Sequence, residues 1–153
     1  MSMFKTFVDK KRFSFHEGFD DWRDAVTAAV QPLVDEGVAE PIYAKEIIKK
    51  VEELGPYIVI APDICIPHAQ EGLGVHETAM CFMKTEKPVR FSDDGEHDAR
   101  IFVVFASVNN ADHLKNLSEV SETLSDEDLV AKLLKVKTPE DLLKLDAEMP
   151  PAE

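Results

Sequence analysis

The segment Ile101–Ala106 constrains the possible folds of this chain more than any other stretch. Its residues are all apolar, in the order Ile-Phe-Val-Val-Phe-Ala, so it lacks the alternation of a strand with one face in water. Such a run is typical of a central strand covered on both faces. Because helical patterns lie before and after this run, helices are expected to supply the cover, and the expected fold class is α/β.

Helical periodicity identifies the helices that are expected to cover this strand. Apolar residues at helical spacing predict helices over Asp20–Glu36, Pro41–Leu54 and Asp112–Leu124. The first should have Asp20 or Asp21 as its N-cap, and Pro32 predicts a bend or an irregular last turn in it. The residues expected to face inward from the second helix are Ala44, Ile47, Ile48, Val51 and Leu54, and from the third Leu114, Leu117, Val120 and Leu124.

The C-terminal third is expected to continue as helices. Ser125-Asp-Glu-Asp128 resembles a capping box with Asp in place of the usual Glu, which predicts Ser125 as the N-cap of a helix through Leu134. Thr138-Pro-Glu-Asp141 predicts a last helix with Pro139 at its first position. Residues 146–153 are expected to form a frayed tail.

Short apolar runs between turn residues predict the other strands. Tyr57–Ala61 and Ala79–Met83 are the strongest, and Arg12–Phe15 and Val89–Phe91 are weaker. Together with Ile101–Ala106 they predict a mixed sheet of about five strands. The expected architecture is a three-layer α/β sandwich, with the sheet flanked by helices, in a single domain of residues 1–153.

Charge and cysteine content exclude several classes of function. With 17 basic and 30 acidic residues, the net charge of −13 should repel nucleic acids and anionic membranes. No apolar stretch reaches the roughly 18 residues of a membrane span, and the N-terminus does not resemble a secretory signal. Two cysteines do not make a disulfide framework, so a reducing cytoplasm is the expected location.

Two of the five histidines follow predicted strands. His68 comes after Tyr57–Ala61 and a loop stiffened by two prolines, Pro62 and Pro67, and an imidazole held in a rigid loop can be a nucleophile. His113 falls in the first turn of the helix after Ile101–Ala106, where backbone N–H groups favour an anion. Ligands gather at strand ends in open α/β sheets, so the pair forms a candidate site. Taken singly, His68 could be an ordinary loop residue and His113 a capping residue.

A zinc site is the alternative for the same segment. Cys65-x-x-His68 has a ligand-like spacing, and His76 and Cys81 follow nearby. The paired ligand repeats of a structural zinc domain are missing, however, and both cysteines lie in apolar segments. Sequence motifs of nucleotide-binding loops and of the α/β-hydrolase nucleophile are also absent.

The segment around His68 resembles a known family. Leu54-Gly-Pro-Tyr-Ile-Val-Ile-Ala-Pro-Asp-Ile-Cys-Ile-Pro-His-Ala69 is similar to the active-site segment of enzyme IIA domains of the bacterial phosphoenolpyruvate-dependent sugar phosphotransferase system, mannitol/fructose-type superfamily. Its Gly-Pro-Tyr run resembles the ascorbate-type branch. Val104-Phe-Ala-Ser-Val-Asn-Asn-Ala-Asp-His-Leu114 resembles the family's second histidine segment, and the likeness extends over residues 12–146.

This resemblance implies a phosphocarrier. The family's phosphorylated histidine falls on His68, with Nε2 as the acceptor atom, and its second active-site histidine falls on His113. The implied donor is the phosphocarrier protein HPr, charged by enzyme I. The implied acceptor is a cysteine of an enzyme IIB domain, which serves a membrane permease. No metal or organic cofactor is implied.

Three residues depart from the family pattern. Gln70 stands where ascorbate-type members often have Arg, and Asp63 and Cys65 stand where Gly and Ala are common. Gln70 removes a candidate phosphate donor, which leaves open a regulatory alternative in which the phosphorylation state of His68 controls binding to another protein. The sequence does not identify the solute; ascorbate follows from the resemblance alone.

Overall fold

In a computed structural model that describes residues 3–148, the chain folds around one five-stranded sheet. The strands are β1 (Phe13–His16), β2 (Val59–Ala61), β3 (Asp63–Cys65), β4 (Ala79–Arg90) and β5 (Asp98–Ala106). Six helices lie within the same residues: α1 (Met3–Asp9), α2 (Trp22–Glu36), α3 (Pro41–Leu54), α4 (Asn110–Leu124), α5 (Glu127–Leu133) and α6 (Pro139–Glu148). None of the helices in this part of the chain is both long and apolar enough to cross a membrane.

The sheet is mixed and has β5 at its centre. The strand order is β1-β4-β5-β3-β2, with β1 parallel to β4 and β3 parallel to β5, whereas β4 runs antiparallel to β5 and β2 to β3. All residues of Ile101–Ala106 are fully buried. The prediction of a central strand covered on both faces is therefore confirmed.

Alternate residues of β5 contribute to two separate cores. Phe102, Val104 and Ala106 pack with α2 and α3 on one face. Ile101, Val103 and Phe105 pack with α1, α4, α5 and α6 on the other. This division confirms the predicted three-layer α/β sandwich.

The first two predicted helices form as expected. Asp21 caps α2 by accepting the N–H of Arg23 at 2.8 Å, and α2 continues through Pro32 to Glu36. Gly37 then takes a left-handed conformation, with φ of 85°, which a side chain would disfavour. On α3, Ala44, Ile47 and Val51 are buried, but the predicted inward position of Leu54 is wrong because its side chain is 68% exposed.

Some predicted boundaries are wrong. The strand predicted at Tyr57–Ala61 begins at Val59 and turns back at Asp63 (φ 69°) into β3, so a hairpin precedes His68. The runs Ala79–Met83 and Val89–Phe91 belong largely to one strand, β4, which has an irregular register between Lys84 and Val89. Neither helical spacing nor strand alternation had predicted α1.

Corrections in the C-terminal third concern side-chain roles. Leu114, predicted to face inward, is 56% exposed. Asp126, not Ser125, caps α5, because its carboxylate accepts the N–H groups of Asp128 and Leu129. Thr138 caps α6 through the N–H of Asp141, and Pro139 opens that helix as predicted. Of the predicted tail, residues 146–148 belong to α6, and 149–153 lie outside the described residues.

Candidate functional site

The fold brings the two predicted site histidines together. β3 and β5 run parallel and next to each other, so the segments that follow them leave the sheet at the same end. His68 follows β3, and His113 lies in the first turn of α4, which follows β5. Their ring centroids are 5.7 Å apart. The two histidines that the sequence analysis placed at strand ends therefore lie next to each other in the structure.

Three contacts fix the ring of His68. Its Nδ1 lies 2.6 Å from the carbonyl oxygen of Ile66. Phe105 stacks against one face, with ring centroids 4.7 Å apart and planes inclined by 15°. Tyr57 meets the ring edge-on at 5.3 Å and 86°. These three contacts hold the imidazole in one orientation.

The same contacts determine the chemical state of His68. A carbonyl oxygen only accepts hydrogen bonds, so Nδ1 carries the proton and the neutral ring has its lone pair on Nε2. Burial lowers the pKa of His68 below its ordinary value of 6.5; the hydrogen bond to Ile66 opposes this shift, and the nearby His113 adds to it. At neutral pH the side chain is therefore uncharged.

Two tyrosine hydroxyl groups hold the backbone around His68. Tyr57 donates a hydrogen bond to the carbonyl oxygen of His68 at 2.6 Å. Tyr43, on α3, donates to the carbonyl oxygen of Phe105 at 2.7 Å and accepts the N–H of Ala69 at 3.1 Å. Burial raises the pKa of Tyr57 to about 12 and that of Tyr43 further, so both hydroxyls remain protonated donors.

Sequence reasoning missed both tyrosines as site residues. Tyr43 lies among buried α3 residues and Tyr57 at the start of an apolar run, so each is indistinguishable from an ordinary core aromatic. One property of tyrosine could have pointed to them, because a buried tyrosine hydroxyl needs a hydrogen-bond partner. The sequence alone does not say that these partners flank His68.

The turn from β5 into α4 is held by side-chain hydrogen bonds. Asn109 caps α4 by accepting the N–H of Asp112 at 2.8 Å. Thr78 donates to the Asp112 carboxylate at 2.7 Å and accepts the N–H of Val108 at 3.1 Å. Nδ1 of His113 is buried without a hydrogen-bond partner in residues 3–148. These bonds anchor the turn that carries His113 beside His68.

An open groove of about 280 Å³ passes over both histidines. The side chains and backbone that line it are those of Lys50, Leu54, Tyr57, His68, Ala69, Gln70 and His113. Lys50 contributes a positive charge to the groove, and Gln70 contributes a neutral amide. The groove is open to solvent.

The zinc alternative finds no support at these residues. Within residues 3–148, no three His, Cys, Asp or Glu side chains are grouped to hold a metal ion. Cys65 and Cys81 are both fully buried, and the Cys81 thiol donates to the carbonyl oxygen of Ala29 at 3.1 Å. Burial raises the pKa of both thiols.

Comparison with known proteins settles the family. Residues 6–147 match the model of a family described as "Phosphoenolpyruvate-dependent sugar phosphotransferase system, EIIA 2". The chain belongs to this EIIA family. Phosphoryl transfer within the phosphotransferase system (PTS) is the general role of such EIIA proteins, and the resemblance seen in the sequence is confirmed.

Several EIIA relatives match this chain over nearly its whole length. The ascorbate-specific PTS system EIIA component of Escherichia coli K12 is 28% identical over 146 residues, which are 95% of each chain. The crystal structure of a candidate PTS IIA domain from Streptococcus pyogenes M1 GAS is 28% identical, with a TM-score of 0.83 and coverage of 97% of this chain and 96% of that one.

A more distant EIIA structure shares the fold. It is the complex of the mannitol enzyme IIA with phosphorylated enzyme IIB from Escherichia coli. Its TM-score is 0.77 at 23% identity, covering 91% of this chain and 96% of that one. The EIIA fold is thus shared across relatives with different names.

Proposed function

We propose that this EIIA chain accepts a phosphoryl group on Nε2 of His68 from phosphorylated HPr and passes it to a cysteine of an enzyme IIB domain. The observation that carries this proposal is the hydrogen bond from Nδ1 of His68 to the carbonyl oxygen of Ile66, which leaves the lone pair on Nε2. His68 also lines a groove that is open to solvent, so a partner can reach it.

Acceptance is an in-line displacement at phosphorus. The Nε2 lone pair of His68 forms the new P–N bond as the P–N bond to the donor's histidine breaks, and that electron pair returns to the donor imidazole. No proton needs to leave His68 during this step. The stacked Phe105 and the edge-on Tyr57 hold the ring in line, so little orientational freedom is lost at the transition state.

Release depends on the proton that remains on Nδ1. A neutral carbonyl such as that of Ile66 does not accept this proton fully, so the phosphorylated ring stays an imidazolium. An imidazolium is a good leaving group because bond cleavage returns its electron pair to the ring and removes the positive charge. A thiolate of the acceptor can then take the phosphoryl group, and neutral His68 is restored.

His113 is proposed to stabilise the phosphoryl oxygens during both steps. Its ring lies 5.7 Å from that of His68 and lines the same groove. The N-terminal end of α4 adds a partial positive charge, which the carboxylate of Asp112 in that first turn partly offsets. Moderate stabilisation suits a carrier, because a phosphoryl group held too tightly would not leave again.

The relatives suggest the pathway in which this relay operates. An E. coli relative is ascorbate-specific by name, and a structural relative was solved with phosphorylated enzyme IIB. We therefore propose uptake of a sugar or an ascorbate-like solute, with an enzyme IIB domain as acceptor and a membrane permease served indirectly. The carrier itself would act in the cytoplasm as one domain of residues 1–153.

Phosphoryl transfer in a reconstituted mixture tests this function. The protein is incubated with phosphoenolpyruvate, enzyme I and HPr, and a gain of about 80 Da in intact mass is expected, acid-labile and confined to His68. His76→Ala is a matched control, since His76 is 61% exposed and pairs with Glu40. No mass gain while HPr itself becomes phosphorylated would contradict the proposal.

A further inference from the structure

We propose that Lys50 is a catalytic residue that binds the transferring phosphoryl group through its ammonium group, supplying the positive charge that Gln70 does not. The inference rests on the proposed function, because it concerns phosphoryl transfer to and from His68. Lys50 lies on α3, outside the two sequence segments that contain His68 and His113.

The position of Lys50 on α3 directs it to the groove. Ile47 and Val51, on either side of it in sequence, are buried in the core and fix the rotation of the helix. Lys50 and Leu54 are four residues apart, which places them on one face of α3, and both line the groove over His68. Lys50 is partly buried, so its charge is less screened than that of a fully exposed lysine.

Among the described residues, the Lys50 ammonium group has no acidic partner within salt-bridge distance. Within residues 3–148, no salt bridge involves Lys50. Glu46, one turn earlier on α3, is near enough for its charge to help raise the pKa of Tyr57, yet it makes no salt bridge with Lys50. An unpaired cation beside the nucleophile of an acidic protein, net charge −13, is available for an incoming anion.

The chemistry of the transfer calls for such a cation. Charge spreads over the three equatorial oxygens of the phosphoryl group at the transition state, and groups aimed at that charge lower the barrier. The amide of Gln70 can donate a hydrogen bond but carries no charge. A lysine ammonium group is a point charge on a flexible stem, so it can follow the phosphoryl group as it arrives and leaves.

The experiment separates chemistry from docking by using two phosphoryl donors. One is phosphorylated HPr; the other is phosphoramidate, a small molecule that needs no protein interface. The rate of phosphorylation of His68 is measured by intact mass for the wild type, Lys50→Gln, Lys50→Arg and the control Lys49→Ala. Lys49 is the adjacent exposed lysine of the same helix and does not line the groove.

We expect Lys50→Gln to slow transfer from both donors by about tenfold, less than the ~10²-fold loss typical of a buried donor, because the side chain is only partly buried. Lys50→Arg should restore most of the rate, and Lys49→Ala should match the wild type. Equal circular dichroism spectra and unfolding temperatures would show that the variants are folded.

Other outcomes would overturn the proposal in different ways. Wild-type rates for Lys50→Gln with both donors would remove Lys50 from the chemistry while leaving His68 as the acceptor. A loss with phosphorylated HPr alone would make Lys50 a docking residue. Failure of the wild type to accept from either donor would instead refute the proposed function, and the inference about Lys50 with it.

Discussion

The His68 loop (residues 66–70) and the β4–β5 loop (residues 91–97) each hold a histidine, but in opposite surroundings. In both, Nδ1 has a partner: the carbonyl oxygen of Ile66 for His68 and the hydroxyl of Ser92 for His97. His68 lies between aromatic rings beside a groove. His97 lies in an exposed acidic loop with Asp94 and Glu96, at the opposite end of β5.

Under the proposed function, a fixed Nδ1 is not by itself enough to make a histidine a phosphoryl acceptor. The Ser92 hydroxyl donates to Asp94, so it accepts from His97, and both histidines are held with Nε2 as the free nitrogen. Carboxylates around His97 repel a phosphoryl donor, whereas a lysine and a helix N-terminus flank His68. Surrounding charge and burial, rather than tautomer, distinguish the two loops.

The largest expected effect comes from exchanging His68 for alanine, and His97 provides the matched control. His68→Ala should reduce phosphorylation by HPr to background, because the nucleophile is gone. His97→Ala should leave the rate unchanged, since His97 lies at the other end of the sheet. Intact mass after incubation with phosphoenolpyruvate, enzyme I and HPr measures phosphorylation of both variants. A phosphoryl group retained by His68→Ala would show that His68 is not the acceptor.

A smaller loss is expected at the second histidine of the site. His113→Ala should still accept some phosphoryl group on His68 but transfer it onward about 10–100-fold more slowly, because one stabilising group is missing at the transition state. Quenched-flow measurement of transfer to the enzyme IIB cysteine tests this. If His113→Ala lost the label and His68→Ala kept it, the roles assigned here would be reversed.

Removal of one buried hydroxyl should affect stability and rate together. Tyr43→Phe deletes the group that joins the carbonyl oxygen of Phe105 to the N–H of Ala69, and we expect a loss of about 1–3 kcal/mol in the free energy of unfolding. Transfer should slow only a few-fold at temperatures where the variant is folded. Urea denaturation measures the first quantity. An unchanged free energy of unfolding would mean that the bridge does not support the His68 loop.

The pH dependence of His68 is the subtlest test. Its pKa is lowered in the folded protein, so the native state binds fewer protons than the unfolded one and stability falls as pH drops through the unfolded pKa of about 6.5 toward the folded value. The neutral nucleophile should persist to lower pH than in a free histidine. An NMR titration of the His68 ring should give a midpoint below 6.5, and a midpoint above 6.5 would contradict the burial described here.

Sequence reasoning succeeded where local pattern and structure agree. Ile101–Ala106 is apolar throughout and is the central strand, and the Asp21 cap and Gly37 stop bound α2 as expected. His68 and His113 were each placed after a strand and do lie together, but the strand that precedes His68 is β3 rather than the predicted Tyr57–Ala61, and it is β3 that runs parallel to β5. These features depend on periodicity and on backbone signals that a short window of sequence contains.

The features that sequence reasoning missed depend on contacts between distant residues. Helix α1 has only Phe4 and Phe7 as buried anchors, too few to show a period, and it is stabilised by their packing against Phe82. The bend at Asp63 needs a left-handed backbone from a residue other than glycine, which sequence does not signal. Leu54 and Leu114 continue helical stripes of apolar residues past the point where the core ends.

Phe105 limits how this site could change during evolution. Its side chain is fully buried in one core, its ring stacks on His68, and its carbonyl oxygen binds Tyr43. A substitution of Phe105 that altered its stacking on His68 would therefore also disturb the centre of the sheet. Residues that line the groove outside the core, such as Lys50 and Gln70, are free of this constraint.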